Sequence, residues 1–152
     1  MKDSISEAFS SSIKEVLISL CNCDVSIDTP QEIEFSKTLG DISIILEING
    51  QLRGQVIYTM SETFSLEIAS QMMEMPITEI DDLTLSALSE IGNIVTGNAT
   101  TKLSGLGFYC ETTIPKVVKG KDKPLKLYSD HATLITAFTS LGSMTLCIVT
   151  KS

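Results

Sequence analysis

The chain has 152 residues, 43% of them hydrophobic, and it carries a formal net charge of −8 at pH 7. This length and composition predict one globular domain, residues 1–152, that is large enough to bury a sizeable core. The acidic balance argues against nucleic acid as a partner, because a nucleic-acid binder needs a basic patch to neutralise phosphates.

Membrane insertion and secretion are not indicated by the sequence either. There is no apolar run of the roughly 18 residues that a membrane-spanning helix requires. Residues 1–12 also lack the apolar core of a signal peptide. We therefore expect a cytoplasmic protein without membrane insertion.

The cysteines and the single histidine do not form a recognisable reactive or metal site. Cys21-Asn22-Cys23 has the wrong spacing for the usual zinc knuckle, and a cytosolic chain keeps its thiols reduced. His131 has no Ser or Cys partner that the sequence identifies, so a hydrolase triad is unsupported. We expect all four cysteines to be structural or incidental, namely Cys21, Cys23, Cys110 and Cys147.

The N-terminal segment has the pattern of an amphipathic helix. Ser4-x-x-Glu7 is a capping-box pattern and predicts the start of the helix. Apolar residues at helical spacing then predict that it continues to about Leu20. The apolar side comprises Ile5, Phe9, Ile13, Val16 and Leu20.

The next segment predicts a hairpin followed by a second helix. Apolar residues alternate from position 42 to 48 and end at Asn49-Gly50, which is a type I′ hairpin signal. A return strand is predicted over Gln51 to Met60. Ser61 is the predicted N-cap of a helix that ends before Pro76. Its predicted apolar stripe comprises Phe64, Ile68, Met72 and Met75.

The stretch from Asp81 to Leu103 predicts a central helix that begins near Leu83, with two opposite faces. Its apolar arc comprises Leu88, Ile91, Val95 and Ala99. Its polar ridge comprises Ser86, Glu90, Asn93 and Gly97. Gly92 and Gly97 are poor helix formers that cost about 1 kcal/mol each relative to Ala, so they suggest close approach by another backbone. Such a ridge is also typical of an ordinary solvated helix face.

The C-terminal third predicts more strands. Phe108 to Val118 reads as a strand with Pro115 at an edge or a bend. Thr133 to Thr139 and Ser143 to Thr150 predict two strands joined through Leu141-Gly142. Their inward candidates include Leu134, Phe138, Leu146 and Ile148. Helices and hairpins in this order predict an α+β fold with an antiparallel sheet covered by helices, and the two halves have comparable parts.

The polar ridge resembles a known motif. Ser86-x-x-x-Glu90-x-x-Asn93, followed by Gly97-Asn98-Ala99 and Pro115, resembles the CheC/CheX/FliY family of chemotaxis phosphatases. Some members of that family carry a second copy of the motif on their first helix. A copy aligned on Ser11 and Glu15 would place Ile18 where Asn is needed. The resemblance is therefore to the single-motif, CheX-like members.

The resemblance implies a function and a set of site residues. The family hydrolyses the aspartyl phosphate of a CheY-like receiver, which itself supplies the phosphorylated Asp, a Mg²⁺ and a Lys. Asn93 would orient the attacking water and Glu90 would pair with the receiver Lys. Ser86, Gly97 and Pro115 would contact the partner.

The resemblance also implies an assembly and leaves one alternative open. No cofactor would be bound by this chain itself, and CheX-type relatives form homodimers through their sheets, so we expect a homodimer. The alternative is a non-catalytic module, related to flagellar-switch proteins or adaptors, that docks a receiver without hydrolysing its phosphate. A pure docking surface has no need for an amide at Asn93, which favours the phosphatase.

Overall fold

A computed structural model describes residues 2–151 and shows three helices that cover one face of an eight-stranded antiparallel sheet. The predicted fold class is therefore confirmed. In chain order the elements are α1 Lys2–Cys21, β1 Ser26–Ile27, β2 Gln31–Glu34, β3 Ile42–Gly50, β4 Gly54–Met60, α2 Glu62–Met73, α3 Asp82–Gly105, β5 Cys110–Thr112, β6 Lys116–Lys119, β7 His131–Thr139 and β8 Gly142–Thr150. Within this described part, no helix is both long and apolar enough to cross a membrane.

The sheet is built from two interlocked halves. Its order is β1-β7-β8-β4-β3-β5, with β2 also paired to β7 and β6 also paired to β3. Each half supplies one long helix (α1 or α3), two short edge strands and a long hairpin, and α2 follows the first hairpin. The edge strands of each half pair with the hairpin of the other. The hairpins meet at the centre, where Ile57 of β4 lies opposite Cys147 of β8. The comparable halves seen in the sequence are thus a structural repeat.

Alternating side chains divide the sheet into two buried faces. Ile44, Leu46 and Ile48 of β3 point into the main core with the helices, whereas Ile45 packs on the other face. That second face has a smaller cluster of buried residues: Phe35, Ile57, Ala132, Cys147 and Val149. Every long strand is therefore covered on both sides.

The Lys-rich loop between β6 and β7 covers the second face. Leu125 and Leu127 of this loop pack on the smaller cluster. The buried side chain of Gln55 on β4 holds this loop in place. The Gln55 amide nitrogen donates to the Lys126 carbonyl at 2.7 Å, and the Gln55 amide oxygen accepts from the Tyr128 N–H at 2.9 Å. A segment that is polar in sequence thus completes the hydrophobic interior.

The predicted hairpin forms, but the prediction that its turn lies at Asn49-Gly50 is wrong. β3 continues through Gly50, and β4 begins only at Gly54. The reason is long-range, because β5 pairs with the end of β3 and extends it, with Asn49 opposite Glu111 and Gly50 opposite Cys110. A Cβ at Gly50 would lie 2.6 Å from the Tyr109 carbonyl oxygen, so the glycine is required by this close pairing.

Three other local details differ from the predictions. α1 already begins at Lys2, so Ser4 lies inside the helix and the predicted capping box is wrong. Ser61 caps α2 as predicted, but Glu74 takes a left-handed conformation that ends this helix, and Met75 is left exposed outside it. Phe138, expected to point inward, is also exposed, whereas Leu146 and Ile148 are buried. These errors come from local patterns that do not report long-range packing.

A contrast in stability should follow from the two faces of α3. Leu88 and Ile91 are fully buried, so Leu88→Ala or Ile91→Ala should lower the free energy of unfolding by about 2 to 4 kcal/mol. Glu90 is exposed, so Glu90→Ala should change it by less than about 0.5 kcal/mol. Denaturant unfolding of the three variants measures the contrast. Equal losses in all three would contradict the orientation of the helix.

Candidate functional site

The N-terminus of α3 is fixed by a side-chain cap. One oxygen of Asp81 accepts from the Thr84 N–H at 2.9 Å and from the Thr84 hydroxyl at 2.8 Å. These hydrogen bonds lower the pKa of Asp81. The cap is therefore held while the carboxyl is ionised and is lost as the pH falls through that lowered pKa. Helix α3 begins at Asp82, next to the predicted start at Leu83.

The predicted polar ridge lies on the outer surface of α3. Ser86, Glu90 and Asn93 are exposed and Gly97 is half-buried. The four residues of the apolar arc are all fully buried: Leu88, Ile91, Val95 and Ala99. The two faces predicted from helical spacing are therefore confirmed, and the ridge is open to a partner.

Two of the three glycines of α3, Gly92 and Gly97, have different surroundings. A Cβ on Gly92 would lie 3.0 Å from Ile44 Cγ2 and 3.1 Å from Leu46 Cδ1, so Gly92 lets α3 approach β3 closely. The interpretation of Gly92 as a contact for another backbone is wrong, because the space is filled by core side chains. For Gly97, no atom of residues 2–151 outside its own helix segment lies within 4 Å of such a Cβ. Only Gly97 offers free space beside the ridge.

A buried hydrogen bond fixes the rotation of α3 about its axis. The hydroxyl of Tyr58, on the central strand β4, lies 2.7 Å from the hydroxyl of Thr96 on α3, and both side chains are fully buried. The Tyr58 ring also lies 3.5 Å from the Cβ position of Gly92, one turn earlier. Burial raises the pKa of Tyr58, so its hydroxyl keeps its proton. This contact adds to the packing of the apolar arc, which lies opposite Glu90 and Asn93 and leaves them at the surface.

Loss of this bond should show a characteristic coupling. Thr96→Val leaves the buried Tyr58 hydroxyl without a partner and should cost about 1 to 3 kcal/mol of unfolding free energy. Tyr58→Phe should cost less, because a helical Thr hydroxyl can turn to the carbonyl four residues earlier. The double variant should lose less than the sum of the two. Denaturant unfolding tests this, with exposed Thr101→Val as the control on the same helix.

Additive losses in that cycle would show that the two hydroxyls do not couple α3 to the sheet. A cost of Thr101→Val equal to that of Thr96→Val would point instead to a general effect of β-branched substitution in this helix.

Pro115, the remaining predicted site residue, belongs to another element. It lies between β5 and β6, at the sheet edge along β3, and is half-buried. Here the edge pairing is interrupted, as predicted for a residue without an N–H. In place of a strand carbonyl, the Thr113 hydroxyl accepts a hydrogen bond from the Glu47 N–H at 2.9 Å. The four ridge residues thus share one helix surface, and Pro115 stands on a separate segment.

Comparison with known proteins places this arrangement in a family. Residues 42–139, more than half of the chain, match a family model described as "Chemotaxis phosphatase CheX". The chain belongs to this family. Membership makes it a phosphatase by class, and the match includes the whole of α3.

Individual CheX relatives agree with the family match. The CheY-P phosphatase CheX of Thermotoga maritima is 29% identical over 125 residues, which is 82% of this chain and 81% of that protein. The solved structure of a CheC-like superfamily protein from Shewanella sp. PV-4 is 26% identical and covers 100% of both chains with a TM-score of 0.86. The CheX–CheY–BeF3–Mg²⁺ complex from Borrelia burgdorferi is 22% identical, with a TM-score of 0.77, and covers 96% of this chain and 97% of the matched chain.

The first helix of this CheX-family chain carries no second motif. α1 contains no Asn at all, so no alignment of α1 could supply the missing amide. The residues that resembled part of a motif have a structural role, since the Lys102 amine donates to the Ser11 hydroxyl at 3.0 Å and to the Glu15 carboxylate at 2.8 Å. They tie α1 to α3, and the single-motif prediction is confirmed.

The cysteines and the histidine of this CheX-family chain lie outside the polar ridge. The four cysteines are free. Burial raises the pKa of Cys147 to about 12. His131 is exposed and lies 3.5 Å from Asp130 and 3.7 Å from Glu34. These contacts are surface ion pairs when His131 is protonated. The described residues contain no group of three or more His, Cys, Asp or Glu that could hold a metal ion.

Proposed function

We propose that this chain hydrolyses the aspartyl phosphate of a CheY-like response-regulator receiver, with Glu90 and Asn93 as the reactive pair. The observation that carries the proposal is that both side chains are exposed, one helical turn apart, on a helix whose opposite face is packed on the sheet. Membership of the chemotaxis phosphatase family supports it. The names of two relatives, a CheY-P phosphatase and a CheX–CheY complex, supply the substrate class.

Asn93 is proposed to orient the attacking water. Phosphoryl transfer needs a nucleophile held in line with the bond that breaks, and little covalent help. An amide both donates and accepts hydrogen bonds, so it can fix the orientation of one water. It does so without placing negative charge beside the phosphoryl group. Asn93 is exposed, which allows its amide to enter the active site of another protein.

Glu90 is proposed to pair with the Lys of the receiver and so to set the register of docking. It lies one turn before Asn93, so this pair would place the amide at a fixed distance along the receiver surface. Ser86 and Gly97 extend the same contact in both directions, and the open space at Gly97 lets the receiver backbone come close. Pro115 stays a sequence-based prediction, since it lies on another element.

The metal of the reaction is proposed to be the Mg²⁺ of the receiver, with no cofactor bound by this chain. Each partner would then contribute what the other does not have. The receiver supplies the phosphorylated Asp, the metal and a Lys, and this chain supplies an oriented water and the charge that aligns the two proteins.

Variants of the two residues should separate rate from docking. Asn93→Ala should abolish acceleration of dephosphorylation while leaving receiver binding nearly unchanged, because only the oriented water is lost. Glu90→Ala should weaken both binding and rate, because it removes the charge that pairs with the receiver Lys. Single-turnover loss of phosphate from a Mg²⁺-loaded phosphoreceiver measures the rate. Binding is measured separately on a receiver carrying a non-hydrolysable phosphate mimic.

The matched control is Glu67→Ala, which removes an exposed Glu from α2 and should leave both quantities at their wild-type values. If Asn93→Ala keeps the wild-type rate with a cognate receiver, the mechanism is wrong. Tight binding without any acceleration by the wild-type chain would favour the docking module.

We also propose that the chain forms a homodimer through its sheet. Sheet edges need to be paired or covered, and the β5 and β6 edge is made of two short strands separated by Pro115. Beside Pro115, Ile114 is 89% exposed, and Tyr109 just before β5 is 65% exposed. Large apolar side chains at an edge favour burial against a second copy.

Light scattering should report a dimer at tens of micromolar, a range in which modest interfaces still form. Ile114→Asp should shift the population toward monomer. The control is Ile18→Asp, which changes an exposed isoleucine on α1 and should leave the dimer intact. A wild-type monomer at that concentration would remove sheet-mediated dimerisation from the account.

A further inference from the structure

The C-terminus of α1 brings two cysteines together that the proposed phosphatase site does not use. Cys21 is the last residue of the helix and Cys23 follows after one residue. Asn22 between them takes a left-handed conformation with φ 51°, and its N–H donates to the Ile18 carbonyl at 2.9 Å. The two cysteines therefore flank a single left-handed residue at the end of the helix.

The two thiols differ in access and acidity. Cys21 is buried, and burial raises its pKa to about 11. Cys23 is half-exposed, and hydrogen bonds with the side chain and backbone of Ser140, in the turn before β8, lower its pKa. The side chain of Thr139, in the same turn, interacts with Cys21. One reachable, more acidic thiol therefore lies beside one sheltered thiol.

We propose that Cys21 and Cys23 are a redox-active pair that closes to an intramolecular disulfide when a hydroperoxide reacts with Cys23. The closure is sterically reasonable, because the α-carbons on either side of one left-handed residue lie about 5 to 6 Å apart, inside the range that a disulfide spans. The left-handed Asn22 is that residue. This function is independent of the phosphatase proposal.

The chemistry balances in two steps. The Cys23 thiolate attacks one oxygen of hydrogen peroxide, the O–O bond breaks, and the leaving hydroxide takes a proton to become water. The Cys21 sulfur then attacks the sulfur of the Cys23 sulfenic acid, the S–O bond breaks, and the departing hydroxide takes the Cys21 proton. Two thiols are oxidised to one disulfide, and one peroxide is reduced to two waters.

The remaining cysteines of the chain serve as internal references. Cys147 is fully buried in the central strand β8, where burial raises its pKa, so it should not react. Cys110 on β5 is half-buried and its pKa is also raised by burial. Since the thiolate is the reactive form, Cys23 should react faster than Cys110.

The test uses the full, reduced chain treated with hydrogen peroxide, followed by alkylation and mass spectrometry. The wild-type chain should lose two thiols together, with the mass of two hydrogens, at the peptide that contains Cys21 and Cys23. A dithiol reductant should restore both. Cys21→Ser should stop at a sulfenic acid on Cys23, which dimedone traps, and Cys110→Ser should close like the wild-type chain.

The wild-type measurement does not depend on a variant of the buried Cys21 remaining folded. Oxidation of Cys23 to sulfinic acid with Cys21 still free would overturn the proposal. So would oxidation of Cys23 no faster than that of Cys110, or a disulfide that joins two copies of the chain.

Discussion

The close seating of α3 on the sheet is the constraint on which the rest of the structure depends. Gly92 removes the side chain that would keep the helix away from Ile44 and Leu46, and the bond between Tyr58 and Thr96 fixes which side of the helix faces the strands. Successive helix residues are about 100° apart. The fully buried arc of Leu88, Ile91, Val95 and Ala99 lies opposite Glu90 and Asn93 on the helix, so the exposed site is a consequence of packing on the hidden side.

The two halves of the sheet have the same architecture, but only the second half carries the proposed site residues on its helix. Each half places one helix on the same face of the sheet, and the edge strands of each half complete the sheet of the other. Only α3 carries the amide, and α1 is tied to it through Lys102. One helix thus presents the proposed site, and its counterpart supports it. The exchange of edge strands makes the two halves depend on each other, so α3 rests on a scaffold drawn from the whole chain.

The parts of the fold that follow from short-range periodicity could be predicted from the sequence. The two faces of α3 and the alternation of β3 are read directly from the spacing of apolar residues, and Ser61 is the N-cap of α2 as predicted. The resemblance of Ser86-x-x-x-Glu90-x-x-Asn93 to the phosphatase motif distinguished the polar ridge from an ordinary solvated surface.

The features that the sequence analysis missed depend on contacts between distant residues. The turn after β3 was misplaced because β5 holds Gly50 in the sheet. Gly92 was assigned to a partner because its neighbours, Ile44 and Leu46, are nearly fifty positions away in the chain. The pairing of Tyr58 with Thr96 has no local pattern at all, although a Tyr between Val56 and Met60 on one face of a strand is a signal that its hydroxyl needs a partner.

The central claim is that the outer surface of α3 acts on an aspartyl phosphate held by another protein. The most direct measurement is the rate of phosphate loss from a Mg²⁺-loaded phosphoreceiver, mixed with the unmodified chain in excess, over a series of chain concentrations. The account predicts that phosphate is lost faster than from the receiver alone, and that the rate saturates as the complex fills. Phosphate loss at the rate of the receiver alone, at concentrations where binding is shown to be complete, would contradict it.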